Sequence, residues 1–183
     1  MPLTCSPTAI PEVVLVTPQV FPDPRGTFYE GYRRDAFAAH GIHADFVQDN
    51  YNTSAKGVVR GLHYQIAPKA QAKLIRVLHG AIYDVAVDLR RGSMTFGRWV
   101  GMTLEPTAAK ALYIPAGFAH GFCALEEGTT VMYKVTDLYS PAHERGIRWD
   151  DPALGIAWPT LGVPYQLSDR DRSYPLLKDA EPG

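Results

Sequence analysis

The sequence predicts an all-β fold of the sandwich or jelly-roll type, and two observations lead to that prediction. Short apolar runs rich in β-branched and aromatic residues recur along the chain, each about the length of one strand. Fifteen prolines and sixteen glycines, spread over 183 residues, supply turn signals between these runs. Short strands separated by turns at this spacing are typical of a sandwich or jelly roll.

The apolar runs are predicted to form strands at residues 13–16, 74–78, 81–89, 99–104, 111–114 and 129–135. Turns are expected at His79-Gly80, Arg91-Gly92-Ser93, Glu105-Pro106-Thr107 and Glu126-Glu127-Gly128. Only one or two short helices are expected, and the clearest covers residues 34–40, because a glycine follows at position 41. The sequence contains no repeat or linker, so residues 1–183 are predicted to form one domain with a frayed tail from about residue 175.

Composition argues against several classes of protein. Eighteen basic and nineteen acidic residues give a formal net charge of −1, so no nucleic-acid-binding surface is expected. The apolar runs are far shorter than the roughly 20 residues that cross a membrane, so no membrane-spanning helix is expected. The N-terminal residues do not resemble a secretory signal. Cys5 and Cys123 are the only cysteines, which fits a reducing compartment and predicts a cytoplasmic protein.

One histidine motif, a lysine and a second histidine motif resemble the metal-binding frame of the cupin family of small β-barrels. That frame reads H-x-H, then Glu seven residues before Gly, then P-x-G-x-x-H. Here the second histidine of the first motif is replaced by Gln65, and Lys73 stands seven residues before Gly80. The second motif is intact and ends at His120. Lys offers only donors and a positive charge, so we predict no metal and no cofactor. His63 beside a fixed cation instead suits chemistry that creates negative charge.

Strand periodicity indicates where some of these side chains point. In residues 81–89 the odd positions are apolar or aromatic, whereas the even positions include two aspartates. Asp84 is therefore either a cavity partner for Lys73 or a solvated strand residue. Tyr133 shares a strand face with Val131 and Val135, so its ring should point inward. From this segment alone, a purely structural tyrosine remains the alternative.

Many short segments between residues 11 and 171 form a recognisable series. The segments are Phe21-x-Asp23-x-Arg25-Gly26-x-Phe28-x-Glu30, Phe46-Val47-Gln48-Asp49-Asn50, 57–65, 73–76, 84–90, Thr95-Phe96-Gly97-x-Trp99, 114–122, Tyr133-Lys134, Ile156-x-Trp158-Pro159 and Leu167-Ser168-x-x-Asp171. In sequence and in order they resemble the dTDP-4-dehydrorhamnose 3,5-epimerases. The resemblance implies a homodimeric, metal-free jelly roll that inverts C3 and C5 of dTDP-4-dehydro-6-deoxy-D-glucose. The product, dTDP-4-dehydro-L-rhamnose, lies on the route to dTDP-L-rhamnose.

The resemblance also implies a role for each catalytic side chain. The C4 ketone acidifies the C–H bonds at C3 and C5, so the reaction needs a base, a group that stabilises the enolate and an acid on the opposite face. His63 is the expected base, since an imidazole pKa near 6.5 suits neutral pH. Asp171 is expected to support that imidazole, with Asp169 as the alternative. Lys73 is expected to face the enolate oxygen, and Tyr133 to return the proton.

A further set of polar residues is expected, by the same resemblance, to bind the dTDP-sugar. Arginine suits bidentate contact with phosphate, although a single arginine is more often a solvated surface residue. The expected phosphate, nucleoside and sugar contacts are Arg25, Glu30, Gln48, Asp49, Asn50, Arg60, His120, Tyr139, Glu144 and Arg170.

Other classes of protein remain open at this stage. Related enzymes of antibiotic deoxysugar pathways invert only C3 or only C5, or isomerise the ketone, and they share these motifs. A non-catalytic sugar-binding cupin is disfavoured because binding alone needs no base and acid pair. A metal-dependent cupin oxygenase is disfavoured by Gln65 and Lys73.

Overall fold

The computed structural model describes residues 2–181 and 183, and strands dominate this part of the chain. The strands are β1 Leu3–Pro7, β2 Val14–Pro18, β3 Val20–Asp23, β4 Gly26–Tyr29, β5 Gln48–Ser54, β6 Val59–Gln65, β7 Lys73–His79, β8 Ile82–Asp88, β9 Trp99–Leu104, β10 Ala111–Ile114, β11 Phe118–Ala124, β12 Thr129–Val135 and β13 Glu144–Gly146. The all-β prediction is confirmed.

Over residues 2–181 and 183 the strands form two main antiparallel sheets and a small hairpin. The six-stranded sheet has the order β1-β2-β10-β7-β12-β5, and the five-stranded sheet has the order β13-β6-β11-β8-β9. Strands β3 and β4 form the separate hairpin. Strands far apart in sequence are neighbours in both sheets, as in a jelly roll. This order places β6, which carries the first histidine motif, beside β11, which carries the second.

Two short α-helices occur among the described residues, α1 Arg34–Ala38 and α2 Asp169–Ser173. Helix α1 confirms the predicted helix but ends two positions earlier. Helix α2 was not predicted; it begins after Ser168, whose hydroxyl accepts a hydrogen bond from the Asp171 amide at 3.1 Å. In the same residues, no helix is long and apolar enough to cross a membrane.

The main core lies between the two sheets. It includes Ile75, Ile82 and Leu112, together with Phe118 and Phe122 of β11. Burial of these side chains, at about 1.5–3 kcal/mol for each large one, is the main force that holds the sheets face to face.

A second apolar cluster covers the outer face of the five-stranded sheet. Val85 and Val87 of β8 lie in it with Trp158 and other residues of the C-terminal segment. Both faces of β8 are therefore buried, and its aspartates face the space between the sheets. Asp84 is fully buried, so the solvated alternative for this residue is wrong.

The C-terminal tail is docked, contrary to the prediction that it frays from residue 175. Leu177 and Ala180 pack on the outer cluster, and residues Leu177–Asp179 form a short 3-10 helix. The Leu177 amide donates to an Asp151 carboxylate oxygen at 2.6 Å, and Glu181 forms an ion pair with Arg145. Buried contacts of this kind order a segment that is polar in composition. Residue 182, which belongs to the predicted tail, lies outside the described residues.

Candidate active site

A cavity of about 560 Å³ opens between the sheets and holds most of the predicted site residues. Its wall is formed by strands of both sheets and by the segment that leads into α2. The predicted residues that line it are Gln48, Asn50, Arg60, His63, Lys73, His120, Tyr133, Tyr139, Glu144, Arg170 and Asp171. A cavity of this volume lies in the range of small-molecule binding sites.

Three predicted substrate-binding residues do not line the cavity of their own chain. Arg25 lies in the turn of the β3–β4 hairpin, exposed and paired with Asp23 at 2.6 Å. Glu30 follows the same hairpin and forms an ion pair with Arg33. Asp49 lies on the outward face of β5, because alternate strand residues face opposite sides, and it pairs with a lysine of β12.

His63 and Asp171 form a hydrogen-bonded pair at one side of the cavity. Their Nε2 and Oδ1 atoms are 2.7 Å apart, and the second oxygen of Asp171 accepts from the Gly61 amide at 3.4 Å. Burial acts to raise the pKa of Asp171, but these bonds and the nearby imidazole outweigh it and hold that pKa below its usual value. Asp169 is exposed. The structure thus brings Asp171, not Asp169, to the imidazole.

A β-bulge in β6 lets Arg60 and His63, which are three positions apart, face the same cavity. His120 pairs with His63, whereas Phe122 pairs with Arg60, so β6 has one residue more than β11 over this stretch. At the bulge, Gly61 has φ +138°, and an added Cβ would lie 2.5 Å from the Cα of the facing glycine of β11. Only glycine fits this position without displacement of the strands.

Lys73 is a buried cation at the floor of the cavity. Its side chain is 7% exposed, and Nζ donates to the His63 carbonyl oxygen at 3.0 Å. Burial lowers the pKa of Lys73 to about 8, while the negative charges of Asp84 and Glu144 act in the opposite direction. The group is therefore mostly protonated at pH 7 and has donors left for a ligand oxygen.

His120 and Asp84 form a second imidazole–carboxylate pair next to the first. The distance between His120 Nε2 and Asp84 Oδ1 is 2.6 Å. Burial lowers the pKa of His120 despite the adjacent carboxylate, and the positive charges of Lys73 and His63 add to that lowering. Asp84 lies behind His120 and does not itself line the cavity.

Tyr133 reaches the cavity from the opposite sheet to His63. It lies in β12 of the six-stranded sheet, half-buried, while the flanking Val131 and Val135 are fully buried in the expected alternation. Burial raises the pKa of the Tyr133 phenol, so the hydroxyl is protonated at neutral pH. An imidazole from one sheet and a phenol from the other therefore line the same cavity.

Polar residues at the mouth of the cavity form a connected network. The Tyr139 hydroxyl donates to Glu144 at 2.6 Å, and Arg170 forms an ion pair with the same carboxylate. Gln48 accepts a hydrogen bond from the Tyr139 amide at 3.0 Å and donates to Asn50 at 2.8 Å. These groups hold one another in place on one side of the cavity.

The residues at the cupin ligand positions do not suit a divalent metal. The Gln65 amide is fully used: its oxygen accepts from the Ser140 amide, and its nitrogen donates to the carbonyls of Lys69 and Leu138. Lys73 is a cation. Over residues 2–181 and 183, no group of three or more His, Cys, Asp or Glu side chains is placed to hold a metal ion.

Several residues of the cavity were not predicted from the sequence. Asn52 continues the inward alternation of Gln48 and Asn50 along β5, so strand parity offered a signal for it. Tyr174 does not line the cavity, but its ring packs edge-on against the His63 imidazole with centroids 5.6 Å apart, and nothing local in the sequence indicates that contact. Other unpredicted lining residues include Gln71, Gln166 and Ser168.

The sequence profile of the dTDP-4-dehydrorhamnose 3,5-epimerase family matches residues 7–179. The chain belongs to this family. A dTDP-4-dehydrorhamnose 3,5-epimerase of Pseudomonas aeruginosa is 52% identical over 94% of this chain and 95% of its own length. The crystal structure of a dTDP-6-deoxy-D-glucose-3,5-epimerase from Legionella pneumophila, in complex with dTDP-4-keto-L-rhamnose, has a TM-score of 0.93 and 44% identity, covering 97% of this chain and 94% of that one. A dTDP-4-dehydrorhamnose 3-epimerase of Streptomyces niveus is 43% identical over 95% of this chain and 84% of its own length.

Proposed function

We propose that this protein is a dTDP-4-dehydrorhamnose 3,5-epimerase, an isomerase of dTDP-L-rhamnose biosynthesis. It converts dTDP-4-dehydro-6-deoxy-D-glucose to dTDP-4-dehydro-L-rhamnose by inversion at C3 and C5. The observation that carries the proposal is the placement of His63 and Tyr133 on opposite sheets, with the buried Lys73 ammonium lining the same cavity. Membership of the family supports the substrate class.

His63 is the proposed base. Its Nε2 is committed to Asp171, so Nδ1 carries the lone pair that removes the proton from C3 or C5. Asp171 holds this tautomer and stabilises the imidazolium that forms, as carboxylates do in other His–carboxylate pairs. General base catalysis of this kind supplies about 10²–10⁴-fold of rate.

Lys73 is the proposed site for the enolate oxygen. When the C–H electron pair moves into the ring, negative charge develops on the C4 oxygen, and the buried ammonium faces it. One preorganised donor of this type contributes about 2.7–4 kcal/mol to transition-state stabilisation. No metal is needed for this role, and the residues at the cupin ligand positions do not suit one.

Tyr133 is the proposed acid. It donates its phenolic proton to the enolate carbon from the face opposite His63, and the configuration at that carbon inverts. Solvent then removes the proton from His63 and returns one to Tyr133. The same three groups serve the second carbon after the ring turns in the cavity.

The nucleotide is proposed to lie at the cavity mouth, with Arg60 and Arg170 as the cations nearest its phosphates.

The proposed assembly is a homodimer, which the exposed apolar side chains of Phe28 and Tyr51 support. Arg25, Glu30 and Asp49 lie outside the cavity of their own chain, so their substrate contacts rest on the family resemblance. The proposed location is the cytoplasm, which the free thiols of the chain support.

The test is to incubate purified protein with dTDP-4-dehydro-6-deoxy-D-glucose in D₂O and to locate deuterium in the product by NMR. Deuterium at both C3 and C5 with both centres inverted is the expected result.

His63→Ala should abolish exchange at both carbons, because one base serves both. Exchange that survives at one carbon would require a second base, for which His120 is the first candidate. Chelator treatment should leave the activity unchanged.

The second candidate is an epimerase that inverts a single carbon. The observation that favours it is the 43% identity to the 3-epimerase of Streptomyces niveus. Deuterium confined to C3 in the same experiment would select this alternative.

A further inference from the structure

Asp84 is a buried carboxylate at the site to which the proposed mechanism assigns no role. It lies in β8, fully buried, between His120 and the core. One oxygen bonds His120 at 2.6 Å, and the other oxygen has no hydrogen-bond partner among residues 2–181 and 183. A buried carboxylate is costly unless a nearby opposite charge compensates it. The position of this group therefore calls for a cation.

Lys73 is the buried cation that lines the same cavity as His120, and its charge interacts with that of Asp84. Asp84 acts more strongly on the Lys73 ammonium than any other charge, and it raises the pKa of that group against the effect of burial. The second carboxylate acting on Lys73 is Glu144 of β13, which is already engaged by Tyr139 and Arg170 at the cavity mouth.

The other groups that face Lys73 cannot replace this carboxylate. His63 of β6 contributes its carbonyl oxygen, and His120 of β11 interacts with the ammonium as a like charge when protonated. Within its own sheet, Lys73 is paired with Ile114 of β10 and Val135 of β12, which are apolar. Asp84 is thus the carboxylate available to balance the lysine at the floor of the cavity.

We propose that Asp84 is a positioning residue that keeps Lys73 an ammonium inside the cavity and fixes His120 with its Nδ1 atom toward the substrate. The inference rests on the proposed function, in which Lys73 receives the enolate oxygen. Since Asp84 accepts from Nε2–H, His120 presents a lone pair to the cavity. It then accepts a hydrogen bond from a sugar hydroxyl and cannot donate one.

Asp84→Asn tests the charge while it retains an oxygen that accepts from His120. Removal of the negative charge should lower the pKa of Lys73, so the alkaline limb of the kcat profile should move to lower pH. A nearby opposite charge shifts a pKa by about 1–3 units, which sets the expected displacement. KM should change little, because the His120 contact is kept.

Asp88→Asn is the matched control. Asp88 is also fully buried in β8, four residues further along, but its oxygens are bound by Arg90, Ser93 and Thr95, away from the cavity. This variant should lose stability and keep the wild-type pH profile. An unmoved limb in Asp84→Asn, or an equal movement in Asp88→Asn, would overturn the proposal.

A titration that does not depend on activity separates this inference from the proposed function. In protein labelled with ¹³C at lysine Cε, the Lys73 resonance can be assigned from its absence in Lys73→Met. It should titrate near pH 8 in the wild type and at lower pH in Asp84→Asn. If that shift is seen while the wild type fails to exchange C3 and C5 protons, the proposed function fails and the charge pairing stands. If Asp84→Asn does not fold, the ¹³Cγ resonance of Asp84 must differ between the wild type and Lys73→Met, since that variant removes the paired charge, and an unchanged resonance refutes the pairing.

Discussion

The tasks proposed for His63 and Tyr133 can be tested separately, because the two side chains come from different sheets. His63 reaches it from the five-stranded sheet and Tyr133 from the six-stranded sheet. In Tyr133→Phe the imidazole should still form the enolate, but reprotonation would occur from the original side. We therefore expect deuterium exchange at C3 and C5 with retained configuration, measured by NMR in D₂O. The phenyl ring preserves most of the packing, so the unfolding midpoint should change little. Equal losses of exchange and inversion would place Tyr133 in enolate formation or binding instead.

The role proposed for Asp171 can be tested by removal of its charge beside His63. Asp171→Asn removes the charge that stabilises the imidazolium and favours the wrong tautomer. In a comparable serine-protease pair the same change lowers kcat by about 10⁴-fold, and we expect a loss of roughly 10²–10⁴-fold here. Asp169→Asn, two residues away and exposed, is the control and should keep wild-type kcat. Similar rates in the two variants would contradict the role of Asp171.

Sequence alone could identify the candidate residues but not every contact between them. The two histidine motifs predicted His63, His120 and Lys73 as one group, and the strand register brings them together. The choice between Asp169 and Asp171 depended on helix α2, which sets which carboxylate turns inward. That helix is one turn long, too short for a periodic apolar pattern to reveal it.

Several strands with a largely apolar buried face were predicted from the sequence, whereas β5, whose buried face is polar, was not. Strands β9, β10 and β12 match the predicted runs in position and length. Strand β5 was missed because its inward face carries Gln48, Asn50 and Asn52, which serve the cavity rather than the core. Hydrophobic periodicity detects a strand by its buried apolar face, so a strand with a polar functional face gives a weak signal.

The importance of the bulge in β6 can be tested by an alanine substitution at Gly61. Gly61→Ala should destabilise the protein because the new Cβ meets the backbone of Gly121 and the residue has φ +138°. Backbone strain and overpacking each cost about 1–3 kcal/mol. Gly26→Ala is the control, since Gly26 has φ +136° but no atom within 4 Å of an added Cβ. Urea unfolding should show a larger loss for Gly61→Ala than for Gly26→Ala, and equal losses would show that crowding at the bulge is unimportant.

At the scale of the whole molecule, the C-terminal tail closes the outer cluster over the sheet that carries both site histidines. The sequence did not predict that the tail is docked, because few residues of the tail anchor it. Their partners Tyr64 and Asp151 lie far away in the chain. The Tyr64 hydroxyl donates to the Glu181 carbonyl, next to the His63 position in β6. The tail therefore contacts both the outer apolar cluster and β6, the strand that bears the proposed base.

Removal of residues 177–183 should lower the stability of the whole domain. The deletion exposes apolar surface that Leu177 covers, worth at most about 1.5–3 kcal/mol, and leaves an Asp151 oxygen without its amide partner, at about 1–3 kcal/mol. Leu177→Ala should show the apolar part of this loss in urea unfolding. Lys178→Ala, at the exposed neighbouring position, should leave the midpoint unchanged. Because the tail packs behind β6, kcat in the truncated protein should fall even at temperatures where it stays folded. A truncated protein with the stability and kcat of the full chain would mean that the docked tail contributes nothing to either.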